Sequence, residues 1–199
     1  MEDAQLLDKM LGGDQSAFVE IVTRYQSVLV RVARLYVGSD ATAEDVAQET
    51  WIAVLKGIER FEGRSSFKTW LLRICSNRAR SIGVREHRSI SLPSDDLAST
   101  VDPSRFNEAG MWSDPPVPFT ELIDGQLDRV AVLAAVRAAI DALDASGQAV
   151  VTLRDVEGLS TAEVADLLGI SEGNVRVILH RARAKVRASI EDSVKGSWQ

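Results

Sequence analysis

Cysteine occurs once, at Cys75, and histidine twice, at His87 and His180. One thiol excludes an internal disulfide, and two isolated histidines offer no zinc cluster, so no metal or cofactor is expected. Cys75 itself reads as a small core residue. Long hydrophobic runs are missing too. The stretch from Val130 to Val136 ends at Arg137, well short of the roughly 20 apolar residues that cross a bilayer. The opening MEDAQLLDKML is acidic and lacks the basic start and apolar core of a signal peptide. A cytoplasmic protein without membrane insertion is therefore expected. Nor is there a phosphate-binding glycine loop, a metal cluster or a nucleophile beside a base, which argues against an enzyme. With 199 residues the chain has room for one large or two small domains.

Charge is present in quantity, and its distribution matters more than its sum of −6. Residues 1–59 carry 5 basic and 10 acidic side chains, whereas residues 60–88 carry 8 basic and 2 acidic ones. Residues 89–126 reverse the sign again, with 1 basic and 7 acidic. The remaining stretch is nearly balanced, its positive charge gathered in the last helix. Two cationic patches separated by an acidic segment suit a chain that touches nucleic acid twice.

The strongest local pattern runs from Ser160 to Arg187. Ser160 and Glu163 form a capping box that starts a helix. Ala162, Val164, Ala165, Leu167 and Leu168 give that helix an apolar face, and Gly169 stands where a left-handed residue must end it. Ser171 caps a second helix, in which Val175, Ile178, Leu179, Ala182 and Val186 point inward at three- and four-residue steps. Arg176, His180, Arg183 and Arg187 share the opposite face, flanked by Arg181 and Lys185, and no acid intervenes between Glu172 and Glu191. Charge alone fits a solvated helix face. The spacing of Ala165, Gly169, Ser171 and Val175 favours a helix-turn-helix whose second helix enters the major groove.

Upstream, the period predicts a helix over 15–37, through Phe18, Ile21, Val22, Tyr25, Val28, Leu29, Val32, Leu35 and Tyr36. A second spans 43–58, with Val46, Ala47, Trp51, Val54, Leu55 and Ile58 inward. Its other face presents Asp45, Gln48, Glu49 and Ile52, which the pattern alone reads as solvated. Phe61 to Ser66 is a loop ahead of a third helix over 67–84, buried through Phe67, Trp70, Leu71, Ile74, Cys75, Ala79 and Ile82. Thr69, Arg73, Asn77 and Arg80 form its opposite stripe, and Lys68, Arg78, Arg85, His87 and Arg88 widen the charge. Such a face can neutralise phosphates, and the loop beside it can hold an unstacked base. Periodicity and charge do not choose between that role and a basic surface without a ligand.

Between Ser89 and Gln126 the composition turns to Pro, Ser and Asp, the mark of a flexible linker. Phe106, Met111, Trp112 and Phe119 fit either anchors on a partner or a tether with a few apolar residues. Helices are then expected over 128–143, through Val132, Leu133, Val136, Ile140 and Leu143, and over 145–156, broken at Glu157 and Gly158. The expected fold is all-α: a three-helix domain at 1–88, the acidic linker at 89–126, and a four-helix domain with the helix-turn-helix at 127–199.

The runs AEDVAQETWIAVLKGIERFEGRSSFKTWLLRICSNRARS and VVTLRDVEGLSTAEVADLLGISEGNVRVILHRARAKVR resemble bacterial sigma-70-type RNA polymerase sigma factors of the short extracytoplasmic-function kind. The resemblance covers most of the chain outside the linker. Its most specific parts are Asp45-Val-Ala-Gln-Glu-Thr, the stretch Gly63 to Trp70 and the order of the domains. It implies a subunit that directs core RNA polymerase to promoter DNA, with an anti-sigma factor as its expected regulator. On that resemblance Asp45, Gln48, Glu49 and Ile52 dock on core polymerase, reversing the solvated reading. Arg64, Ser65, Ser66, Lys68, Arg73, Asn77 and Arg80 would open the minus-ten element and capture a flipped base. Ser171, Asn174, Arg176, His180, Arg181 and Arg183 would read the minus-thirty-five element. Val177 and Ile178 fall where relatives often place Ser, Thr or Arg, which points to readout by shape and phosphate at those positions. The alternative is a stand-alone helix-turn-helix regulator, which would dimerise on a two-fold operator.

Overall fold

The computed structural model describes residues 2–86 and 129–196, with side chains described over 2–86 and 133–190. Among these residues all regular structure is helical: α1 (Asp3–Leu11), α2 (Gln15–Arg34), α3 (Asp40–Gly57), α4 (Phe67–Arg85), α5 (Arg129–Asp141), α6 (Ala145–Val151), α7 (Thr161–Leu168) and α8 (Glu172–Gly196). A 3-10 turn, Ile58–Arg60, follows α3, and α6 runs on into a π-helical turn, Thr152–Val156. The expected linker, with Phe106, Met111, Trp112 and Phe119, lies outside the described residues, as do His87 and Arg88.

Short polar residues start the helices by taking amide protons that have no partner within the helix. Asp14 accepts the Ser16 N–H at 2.9 Å, Ser39 that of Thr42 at 3.0 Å, and Ser66 that of Thr69 at 3.0 Å. Helices α2, α3 and α4 then pack together through Ile21, Leu29, Val32, Val46, Val54, Leu71 and Leu72, all buried. Burying each such side chain contributes about 1.5–3 kcal/mol. Phe18 meets Trp51 edge-on, and Tyr25 and Phe61 meet Phe67 the same way, with centroids 5.8–6.1 Å apart.

Helix α1 is an addition to the three helices expected here. It buries Leu6 and Leu7 against the bundle and is tied down by Asp3, which holds Arg24 at 2.6 Å and accepts the Tyr25 hydroxyl. With 9 residues and two buried side chains it is too short to show a helical period in the sequence.

The described residues pack as two compact units. The first unites residues 2–86 with Thr152–Gly169, so the π turn and α7 belong to it. The second consists of residues 129–151 and 170–196, in which α5 and α6 pack on α8. Gly147 is buried there, and a Cβ at that position would meet Ala182 Cβ at 3.5 Å, an ordinary contact that leaves room for alanine. Three residues expected on apolar inner faces are exposed, Ala162 on α7 among them. Leu133 on α5 and Leu55 on α3 are exposed, because each sits one helical step beyond the stripe its neighbours bury.

Candidate nucleic-acid interface

Helix α4 leaves its cap with Phe67 buried under Tyr25, Phe61 and Trp70, which anchors the loop ahead of it. From that base the loop projects Arg64, whose side chain is 85% exposed and paired at 3.0 Å with Glu62, together with exposed Ser65. Gly63 adopts φ 69°, a left-handed turn that a side chain would strain. The Ser66 hydroxyl is taken up by the cap. Along α4, Lys68 is half-buried while Arg73, Asn77 and Arg80 are exposed on one face. Arg80 also lies over the Tyr36 ring, 5.8 Å from its centroid. Thr69 departs from the stripe expected of it: it is buried, its hydroxyl donating to Glu163 at 2.5 Å. Cys75 is buried on the far side, where desolvation pushes its thiol up to about 12 and leaves it unreactive.

Three of the α4 side chains expected on DNA meet the π turn and α7 within the same unit. Lys68 Nζ lies 3.0 Å from a Glu157 carboxylate oxygen and donates to the Glu157 carbonyl at 2.6 Å. Arg73 pairs with Asp166, and Arg80 donates to the Leu167 carbonyl at 2.5 Å. Arg31 of α2 reaches the same Glu157, whose side chain is only 3% exposed. Sequence reasoning shows Glu157 as no more than a helix breaker. The Thr69 hydroxyl, then the Ser160 amide, hold the Glu163 carboxyl below its ordinary range.

The turn into α8 is as the pattern requires. Ser160 and Glu163 exchange the two bonds of a capping box, at 3.2 and 2.8 Å, and Gly169 ends α7 at φ 72° with its N–H on the Ala165 carbonyl at 2.8 Å. Ser171 caps α8 by accepting the Asn174 N–H at 3.2 Å. On α8, Val175, Ile178, Leu179 and Ala182 are buried, and Val186 is half-buried. Arg176, Arg181 and Arg183 are exposed, His180 and Arg187 partly so; Arg176 lies 3.0 Å from Glu172 one turn earlier. Asn174 requires a correction. It is 1% exposed, buried as Val175 and Ile178 are, and does not present its side chain with the arginines. Val177 and Ile178 are core residues too, which accounts for their apolar character.

On α3, Asp45, Gln48, Glu49 and Ile52 are all exposed on one face. Exposed Leu55 extends it, so that Ile52 and Leu55, 50% and 52% exposed, form an apolar pair beside the acids. Glu49 is held at 2.8 Å by Arg78 of α4. The sequence signal for Leu55 is its three-residue step from Ile52, masked by the equally valid four-residue step from Trp51.

A fold that is all-helical among the described residues, with a cationic helix beside an exposed polar loop and a capped left-handed turn leading into a second cationic helix, is that of a helix-turn-helix DNA-binding protein. Comparison with known proteins narrows this. The family Sigma-70 region 2 matches residues 21–89, and Sigma-70, region 4 matches residues 133–186. The ECF RNA polymerase sigma-E factor of Haemophilus influenzae is 30% identical over 130 residues, which is 65% of this chain and 67% of that protein. The sigma-E factor of Escherichia coli K12 is 29% identical over 154 residues, 77% of this chain and 76% of that one. The chain belongs to the extracytoplasmic-function family of RNA polymerase sigma factors. Two solved structures share its fold: CnrH, in complex with the cytosolic domain of CnrY, at TM-score 0.56, 24% identity and coverage of 96% and 97% of the two chains; and RpoE of Bartonella quintana, in complex with the anti-sigma factor NepR, at TM-score 0.56, 21% identity and coverage of 87% and 96%. Family membership sets aside the stand-alone regulator.

Proposed function

We propose that this sigma factor docks on core RNA polymerase through the α3 face, opens the minus-ten element with the loop ahead of α4 and with α4 itself, and reads the minus-thirty-five element with α8. The supporting observation is the coexistence in one chain of both family matches with two separate cationic helix faces. Asp45, Gln48, Glu49, Ile52 and Leu55 offer an acidic and apolar patch suited to a basic, partly apolar partner surface. Arg64, Ser65, Lys68, Arg73, Asn77 and Arg80 neutralise phosphates and hold an unstacked base, which offsets the few kcal/mol lost on flipping. Ser66 serves them by capping α4. Ser171 caps α8, while Arg176, His180, Arg181 and Arg183 carry the upstream contacts.

The working division is a promoter-opening part at 1–88, a linker at 89–126 and an upstream-reading part at 127–199. It is supported by where the two family matches fall. Such a protein works in the cytoplasm, catalyses nothing itself and needs neither metal nor cofactor. No helix among the described residues is long and apolar enough to cross a membrane. An anti-sigma factor is a fitting regulator, given that Bartonella quintana RpoE was solved with one.

Run-off transcription tests this directly: purified core polymerase, the chain and a genomic fragment library, with start sites sequenced. Starts sharing two spaced elements are expected, and they should vanish without the chain. Tight, sequence-specific duplex binding by the chain alone, with no initiation on adding core, would overturn the reading.

A further inference from the structure

Residues 62–66, the loop ahead of α4, lie exposed between two aromatic residues, Phe61 before them and Phe67 after them. Bonds within the loop are short-range: Arg64 pairs with Glu62, the Ser65 hydroxyl donates to the Ser66 carbonyl at 3.4 Å, and Ser66 caps α4. Its shape is therefore set at its two ends, where Phe61, Phe67 and Trp70 stand with ring centroids 5.1–6.0 Å apart. Tyr25 of α2 closes this cluster edge-on, 5.8 Å from Phe67. Behind Tyr25 stands α1. The Tyr25 hydroxyl donates to Asp3, whose other carboxylate oxygen takes Arg24 at 2.6 Å.

We propose that Asp3 of α1 is a positioning residue for promoter opening, holding the Tyr25 ring against Phe67 and so fixing how the loop at 62–66 meets unstacked DNA. The inference rests on the reading of that loop as the part that captures a flipped base. An edge-on aromatic contact is directional but shallow, and a ring tilts about its side-chain bonds unless its far end is held. Tyr25 is 7% exposed, and its hydroxyl is the polar tip of an otherwise apolar side chain. Burial first, then the bond to Asp3, holds that hydroxyl well above its ordinary titration range, so it stays a donor at neutral pH. A hydroxyl bonded to a carboxylate is held about twice as strongly as one bonded to a neutral acceptor. Leu6 and Leu7 dock α1 on the bundle, and Asp3 in its first turn passes that docking on to the loop. A loop that samples several arrangements captures a flipped base in only a fraction of them, which is what the clasp prevents.

The test uses the full chain with core polymerase on a duplex promoter whose start has been mapped by run-off transcription. Opening is followed as the rate at which permanganate reactivity appears at saturating holoenzyme, and holoenzyme affinity for the same duplex is measured separately. Asp3→Ala removes the clasp, and Tyr25→Phe removes only the hydroxyl. Each should slow opening about five- to tenfold while changing duplex affinity by less than about twofold. Asp3→Asn keeps an acceptor for Tyr25 but gives up the ion pair with Arg24, and should restore opening to within about twofold of the parent. Arg24→Ala leaves the Tyr25 bond in place and should do the same. Val32→Ala is the stability control: it loosens the same bundle at a buried α2 position two helical turns beyond Tyr25, and should open the promoter at the parental rate. Parental opening in both clasp variants overturns the proposal. So does slowing of Val32→Ala to match them, or an Asp3→Asn no faster than Asp3→Ala. Arg64→Glu separates the two layers. Parental opening by Arg64→Glu would sink the reading of the loop itself, whereas slowed opening there with parental opening in the clasp variants would sink the clasp alone.

Discussion

Asn77 and Arg181 represent the two proposed DNA contacts at the scale of single side chains. Asn77 is exposed on α4 with no charge, suited to hydrogen bonds on a base edge rather than to phosphate. Asn77→Ala is expected to slow promoter opening more than initial binding, seen as weaker permanganate reactivity of the bubble at equal holoenzyme occupancy. Arg181→Ala is expected to cost about 1–3 kcal/mol of promoter binding and to do so only when an upstream element is present. Footprinting on templates with and without that element checks it. Leu55 and Ile52 belong to the face proposed for core polymerase. Leu55→Asp or Ile52→Asp should leave folding within about 0.5 kcal/mol, since both are exposed, while lowering affinity for core polymerase at least tenfold in a competition assay. Asn174 is legible in the sequence as a polar residue near a helix start, but its burial is not, because that depends on which side of α8 the fold covers.

Helix ends carry the next level. Ser160 and Glu163 satisfy two otherwise unpartnered amides at the start of α7, so Ser160→Ala should destabilise its unit by about 1 kcal/mol. Gly169 sits at φ 72° with nothing within 4 Å of where a Cβ would stand; the cost of Gly169→Ala is therefore conformational alone, about 1–2 kcal/mol. Urea unfolding measures both. Asp144 begins α6, accepting the Ser146 hydroxyl at 2.6 Å and the Gly147 N–H at 2.8 Å, which hold its carboxyl down to about 2. A depressed carboxyl stabilises the fold above its unfolded pKa, about 3.9, and that contribution is lost as pH falls toward 2. Asp144→Asn should flatten this part of the acid limb in a stability profile. Caps, turn and helix periods at this scale are legible in the sequence because each depends on residues three or four apart. Helix α1 is not, being too short for a period.

For the whole molecule, a net charge of −6 is compatible with DNA binding because the bases are concentrated in residues 60–88 and in the last helix. The two proposed DNA sites gain from being held on one chain, since linking them raises the effective concentration of the second. The free chain should therefore bind a duplex promoter weakly and lose that binding steeply between about 50 and 200 mM salt, and core polymerase should restore both affinity and specificity. Gel shifts with and without core check this.

By itself the sequence determined the helical class, the starts and stops of most helices, the two cationic faces and the family. Local caps, 3.6-residue periodicity and short motifs suffice for these. Only the tertiary structure decided that Leu55 joins the α3 face, that Asn174 turns inward, and that Glu157, Glu163 and Asp166 close on α4. Those outcomes depend on pairings 87 to 126 residues apart, such as Arg80 with Leu167 and Arg31 with Glu157, or on which of two equivalent helical stripes the neighbouring helix covers. Neither is written in any local window of sequence.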